Sequence, residues 1–359
     1  MQAVIRRGSA LVCEQVNDPV PGRGQVLLRT LACGICGSDL HALQHGAHLA
    51  ELGRRSGART VLDPDRDLVF GHEFCGEIVD YGPGSNRRLK PGTRAVALPR
   101  ITGPSGVETV GFSNRFPGGF GELVCVDETM LTPVPNGLAD THAAMTEPFA
   151  VGAHAVARAR MDEDSVALVI GCGPVGLAVI AALKVRGVAP VIAADFSPAR
   201  RRTAELMGAD IVIDPALESP FSRWGDVGAA RSTFERDVAQ AAGRRIANAV
   251  IFECVGAPGV IQQIIEGACP AAQVVVVGVC MLEDRFEPYQ ALTKEISLTF
   301  SSAYTAPEFA DTLSHIAEGR IDVAPVVTGV IGRSEVAGAF ETLAAPDGQV
   351  KMVVEPWRD

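Results

Sequence analysis

Cysteine, serine, aspartate and histidine crowd into one short stretch of this chain, as Cys36, Ser38, Asp39 and His41 of "CGICGSDLH". A histidine and a glutamate, His72 and Glu73, follow in "GHEFCGEIV". A soft thiolate paired with an imidazole suits zinc, whereas magnesium and calcium prefer shells made only of oxygen. A catalytic zinc needs few protein ligands and one open position for a substrate oxygen, and Cys36 and His72 are the candidates. Either Glu73 or the later Glu147, in "MTEPFAVGAHAV", would complete the set with a carboxylate. Taken alone, a Cys and a His this far apart form a weak metal signature.

The run "VALVIGCGPVGLAVIAAL" supplies a second chemistry. Gly171, Gly173 and Gly176 form a GxGxxG pattern between a strand and a helix, with Pro174 and Val175 inside it. This spacing allows a tight turn, a close approach of backbone to pyrophosphate, and close packing of helix on strand. The helix start beyond it points unpaired N–H groups at the phosphates. The next strand, "PVIAAD", ends in Asp195, about 20 residues on, where a carboxylate accepts from the adenosine ribose hydroxyls and repels a 2′-phosphate. NAD is therefore expected over NADP, although Arg200, Arg201 and Arg202 follow closely and are able to hold a phosphate. A metal and a nicotinamide in one chain suggest hydride transfer to or from a carbonyl.

Two kinds of element are expected to position these groups. Up to about Pro148 the text is short β-type runs, "QVLLRTLAC", "GEIVDYG" and "TRAVALP", punctuated by Gly and Pro. From Phe149 to Ser302, apolar strands ("VALVIG", "PVIAAD", "NAVIFECVG", "QVVVVGV") alternate with helical stretches, which predicts a parallel sheet covered by helices. A chain of 359 residues exceeds what one core supports, so two domains are expected. The net charge of -10 argues against nucleic acid, whose phosphates need a basic surface. Nine scattered cysteines fit a reducing compartment, and no signal peptide is read at the N-terminus, so a cytoplasmic location is expected. Val166–Leu183 carries no charge, but its glycines and Pro174 favour a turn over a membrane span.

These motifs resemble those of the zinc-dependent medium-chain alcohol dehydrogenases, in the branch containing sorbitol, threonine and butanediol dehydrogenases, and the resemblance covers nearly the whole chain. It implies an α/β protein: a GroES-like β-rich catalytic domain over residues 1–148, a Rossmann-fold NAD-binding domain over 149–302, and a return to the catalytic domain over 303–359. It makes Cys36 and His72 zinc ligands. Glu73 and Glu147 are carboxylates at or near the metal, without ranking them, and Asp39 is the partner that fixes the His72 imidazole. Ser38 would receive the alcohol proton and pass it through the nicotinamide ribose towards His41. A plain helix cap at Asp39 or Ser38 and a surface position for His41 remain open. Val151 would pack near the nicotinamide, Val255 and Gly278 would flank the cofactor, and Lys351 of "QVKMVVEP" would face the pyrophosphate.

Two departures from the family pattern stand out. Between Pro91 and Gly121 the chain has no cysteine, so the four-cysteine structural zinc of many relatives is not expected, and one zinc per subunit is. The segment Ala42–Leu68 looks long and contains the helix-like "AHLAELGRRSG", expected to serve the substrate pocket, an interface or neither. The implied activity is oxidation of a secondary alcohol or diol to a ketone by a homodimer or homotetramer. A zinc-free quinone or enone reductase, or a non-catalytic NAD-binding protein, are the alternatives.

Overall fold

The computed structural model describes residues 1–58, 62–135, 137–344 and 348–358. The chain forms two compact units. Met1–Glu147, Phe309–Gly319 and Val327–Asp359 make the first; Pro148–Glu308 and Arg320–Val326 make the second. The return thus begins at Phe309 and not at residue 303, because the segment after the last strand of the second unit still belongs to that unit, which also takes Arg320–Val326.

The first unit opens with strands β1 (Gln2–Arg7), β2 (Ala10–Gln15) and β3 (Gln25–Gly34). After the helix Gly37–Arg55 come β4 (Leu68–Val69), β5 (Glu73–Tyr81), β6 (Arg94–Ala97), the hairpin β7 (Arg100–Gly103) and β8 (Gly106–Thr109), β9 (Leu123–Asp127) and β10 (Leu131–Pro133). Gly and Pro separate these short runs, as the punctuation in the sequence requires. A mostly aliphatic core includes an aromatic group: Phe70 stacks on Phe340 with ring centroids 6.2 Å apart, and Phe120 meets Phe340 edge-on at 6.1 Å.

In the second unit, strands β11 (Ser165–Ile170), β12 (Val191–Ala194), β13 (Ile211–Ile213), β14 (Asn248–Glu253), β15 (Gln273–Val276) and β16 (Ser297–Phe300) form one parallel sheet in the order β13-β12-β11-β14-β15-β16. Strands that pair in parallel must be joined by crossovers, and helices supply them. The order reverses between β11 and β14, and in such sheets ligands bind beyond the carboxyl ends of the strands at that reversal.

The chain then returns to the first unit with β17 (Val327–Ile331) and β18 (Lys351–Val354). The larger sheet there runs β10-β6-β5-β3-β18-β17, with β9 also paired to β3. Register places Gly34 of β3 opposite Glu73 on one side and Val353 on the other. Residues from the first, second and last parts of the sequence therefore meet on neighbouring strands.

Candidate active site

Cys36, His72 and Glu73 offer one ligand atom each, all within 4.8 Å of one another, and among the described residues this is the only such group able to hold a metal ion. Cys36 stands at the start of the helix Gly37–Arg55, and His72 and Glu73 enter β5. His72 and Glu73 are buried, so they meet a cation with little competition from water. Thiolate, imidazole and carboxylate together suit zinc. Glu147 is buried and close enough to act on Lys351, but it lies outside this three-residue group.

Asp39 does two jobs that the sequence posed as alternatives. Its Oδ2 accepts from the Cys36 backbone N–H at 3.0 Å, a helix cap, while Oδ1 faces His72 Nδ1 at 3.4 Å. One carboxylate thus fixes both the loop that carries the thiol and the ring that carries the imidazole. Burial pulls His72 down, but Asp39 and then Cys36 leave it well above its ordinary pKa. The positive charge these anions draw onto the imidazole is the charge a metal cation would bring. Cys33, the other cysteine of the motif, is a different case, because burial first and Asp39 second push its thiol far up. It stays a packed, protonated side chain.

Lys351 is not where the resemblance put it. Its side chain is 1% exposed, and Nζ donates to both carboxylate oxygens of Glu73 at 2.8 Å and to the Ile35 carbonyl at 3.0 Å. An ammonium with three acceptors at hydrogen-bond distance has no donor left for a pyrophosphate. Burial lowers its pKa, yet Glu73 and Cys36 more than offset this and hold it above the usual lysine value. Gly34 makes the arrangement possible, since a Cβ there would run into Glu73 Oε2.

Ser38 and His41 occupy the first turns of the same helix, both half-buried. Burial and then the neighbouring His45, whose ring lies 6.5 Å from that of His41, hold His41 below its ordinary pKa. A neutral imidazole at that place is ready to take a proton. His48 is exposed. Phe112, which the sequence did not single out, lies against His72 with ring centroids 5.2 Å apart. It also lines a cavity of about 390 Å³ with Leu49, Leu62, Asp63, Arg66 and Asn114. The long segment Ala42–Leu68 therefore walls a cavity whose Phe112 also packs against His72, although its residues 59–61 lie outside the described ones.

The lobe without cysteines is held by side-chain hydrogen bonds. Asn114 Oδ1 accepts from the Asp63 N–H at 2.7 Å, and its Nδ2 lies 3.0 to 3.2 Å from the carbonyls of Asp63, Arg66 and Asp67. Ser113 Oγ donates to Glu108 and accepts from the N–H groups of Arg115 and Phe116.

In the second unit, Gly171 (φ +90°) turns the chain out of β11, and Gly173 precedes a helix that runs from Pro174 to Val185. A Cβ on Gly176 would collide with the Gly171 carbonyl. Asp195 follows β12 and is 9% exposed; its Oδ2 accepts from the Cys172 N–H and Oδ1 from the Ser197 N–H, both at 2.8 Å. Burial pushes the Cys172 thiol up to about 12, in keeping with a packing role. Arg201 is tied to Asp214 at 2.8 Å, while Arg200 has a buried Nε without a hydrogen-bond partner. Val151 is half-buried in the helix Thr146–Arg158.

Glu253 is a second residue the sequence reading missed. At the end of β14 its Oε1 accepts from the N–H groups of Val255 (2.7 Å) and Gly256 (2.8 Å), and its carbonyl accepts from Val277 and Gly278. One residue thus holds the Val255 turn with its buried carboxylate and the Gly278 strand end with its carbonyl, beside the reversal of strand order. Its signal was available in "VIFECVG", where a charge interrupts an otherwise apolar strand.

Comparisons with known proteins agree with this layout. Residues 22–136 match the family described as alcohol dehydrogenase GroES-like domain, and residues 174–318 match zinc-binding dehydrogenase. The (R,R)-butanediol dehydrogenase of Bacillus subtilis is 32% identical over 352 residues, covering 96% of each chain. The sorbitol dehydrogenase of Gallus gallus is 29% identical over 99% of this chain and 96% of its own. The crystal structure of 2R,3R-butanediol dehydrogenase from Bacillus subtilis superposes with a TM-score of 0.79 at 28% identity, over 99% of both chains.

Proposed function

This chain belongs to the zinc-type medium-chain alcohol dehydrogenases, and from that premise we propose that it oxidises a secondary alcohol or vicinal diol to the ketone, using one catalytic zinc and NAD. The observation that carries the reading is the joining of Cys36, His72 and Glu73 within 4.8 Å. The same trio argues against a zinc-free quinone or enone reductase. When bound, zinc supplies Lewis acidity to the alcohol oxygen and NAD supplies the hydride acceptor.

The protein's own groups do the rest. Cys36, His72 and Glu73 hold the metal position, with Asp39 orienting two of them. Ser38 Oγ takes the alcohol proton and hands it on towards His41, whose depressed pKa keeps it able to accept. Phe112 and the segment after Ala42 form a wall of the substrate pocket, and polar Asp63 and Arg66 beside apolar Leu49 and Leu62 suit a short hydroxylated molecule. The Gly171–Gly176 turn receives the pyrophosphate, Asp195 the adenosine ribose diol, and Val151, Val255 and Gly278 flank the nicotinamide. Asp195 and the engagement of Arg201 with Asp214 favour NAD over NADP.

A cytoplasmic homodimer or homotetramer completes the reading. The outer edge of β16 has no neighbour among the described residues; Phe300 at its end, and Tyr289 and Leu292 of the helix that precedes it in sequence, are 65%, 73% and 74% exposed, which supports association through this edge. Among the described residues no helix is long and apolar enough to cross a membrane. The deciding experiment measures zinc per subunit alongside NAD reduction across secondary alcohols, diols and polyols. About one zinc, with turnover abolished by chelation and restored by zinc, is expected; an active zinc-free protein overturns the reading.

A further inference from the structure

A lysine placed beside metal ligands requires explanation, because an ammonium and a zinc dication repel each other. Lys351 is clamped there. Its backbone N–H donates to Thr328 Oγ1, that hydroxyl donates to the Lys351 carbonyl, and its Nζ sits on both oxygens of Glu73 and on the Ile35 carbonyl. Glu73 is 0% exposed and Lys351 1%. A carboxylate so deeply buried is costly without a counter-charge, and breaking such a pair by removing one partner is strongly destabilising. Both oxygens of Glu73 are already occupied by Lys351, and Glu73 is also the carboxylate that faces Cys36 and His72.

We propose that Lys351 is a standing counter-cation for Glu73: it lets the site fold without metal, and an incoming zinc ion competes with it for the carboxylate. The inference rests on the zinc reading above. On metal entry a Glu73 oxygen lone pair turns from the ammonium to the metal, Lys351 keeps its proton and the Ile35 contact, and nothing is oxidised or reduced. Lys351 thereby weakens zinc binding and quickens zinc release, while stabilising the protein that has not yet acquired its metal.

The test is a chelator-competition titration and a zinc-release time course on the full chain and on Lys351→Met, with thermal unfolding of the metal-free forms. In the Met variant zinc should bind about tenfold more tightly and leave more slowly, and the metal-free form should melt at a lower temperature. Unchanged or weaker zinc binding in the Met variant, with the natural protein binding zinc normally, overturns the role of Lys351 and leaves the dehydrogenase reading intact. A natural protein that binds no zinc overturns both. If the Met variant folds only with zinc present, its release rate still decides the matter. In the Glu73→Gln background, where only through-space repulsion remains, adding Lys351→Met should change zinc affinity by less than it does in the natural background, because the contested carboxylate is gone; an equal or larger change overturns the proposal.

Discussion

The metal cluster and the dinucleotide turn are built on opposite principles. In the first unit the chemistry belongs to side chains: Asp39, His72, Glu73 and Lys351 are buried against one another, with Cys36 half-buried beside them. In the second the cradle is largely backbone, a run of glycines whose merit is what they lack, steadied by carboxylates that accept from loop N–H groups, Asp195 from Cys172 and Glu253 from Val255 and Gly256. The first fails when a charge loses its partner, and the second when a Cβ is added. Each unit should therefore be separately breakable.

The largest effect is expected from Cys36→Ala. Loss of a ligand should empty the site and lower turnover by more than about 100-fold, the usual upper range for groups that merely support a ligand. NADH binding, followed by fluorescence, should stay within about twofold. Parallel loss of NADH binding would mean that the two sites are not independent. The mirror experiment is Gly176→Ala, where the new Cβ meets the Gly171 carbonyl. NADH binding should collapse and stability fall by about 1–3 kcal/mol, with the zinc content unchanged.

A finer test of the backbone cradle is Asp195→Ser. Removing an ionised acceptor from the ribose should raise the NAD KM about tenfold and narrow the preference over NADP, read from kcat/KM with each cofactor. The charged cluster should respond to pH where the cradle does not. His41 must be neutral to accept the relayed proton, and its pKa is lowered by burial and by His45, so alcohol oxidation should fall only as pH drops below about 6.5. His41→Gln should remove that limb from the kcat profile while leaving zinc content alone. The smallest effect on catalysis is expected from Asn114→Ala in the lobe without cysteines. Stability should fall by about 1–2 kcal/mol, seen as a Tm lower by a few degrees, with zinc and NADH binding both retained.

The same contrast explains what was legible in the sequence. The cradle was readable because it is contiguous: strand, three glycines, helix, and Asp195 at the end of the next strand all follow from local spacing. The parallel sheet followed for the same reason. The metal pair became readable only through its resemblance to a family, since nothing local joins Cys36 to His72. That Glu73, and not Glu147, lies within 4.8 Å of Cys36 and His72 needed register, which sets Glu73 opposite Gly34. Lys351 was placed wrongly because its partner lies 278 residues away, although a lysine inside the wholly buried strand "KMVV" was itself a sign of a buried anion nearby. Asn114 and Phe112 gave no signal, because an amide and a ring acquire their roles only from the neighbours that folding brings.

The interleaving of the two units also bears on how a cell makes this protein. Proteins emerge from the ribosome N-terminus first, and domains generally fold as units in that order. Here the unit whose residues emerge first is completed last, because its sheet waits for β17 and β18. The nucleotide unit, nearly continuous from Pro148 to Glu308, has most of its chain available earlier. Until Lys351 is synthesised, β3 lacks one of its neighbours and Glu73 lacks its ammonium. The unfinished β-rich unit is thus the part of the nascent chain that most needs shelter from aggregation, and the residue that ends this exposure is made 278 positions after the carboxylate it pairs with.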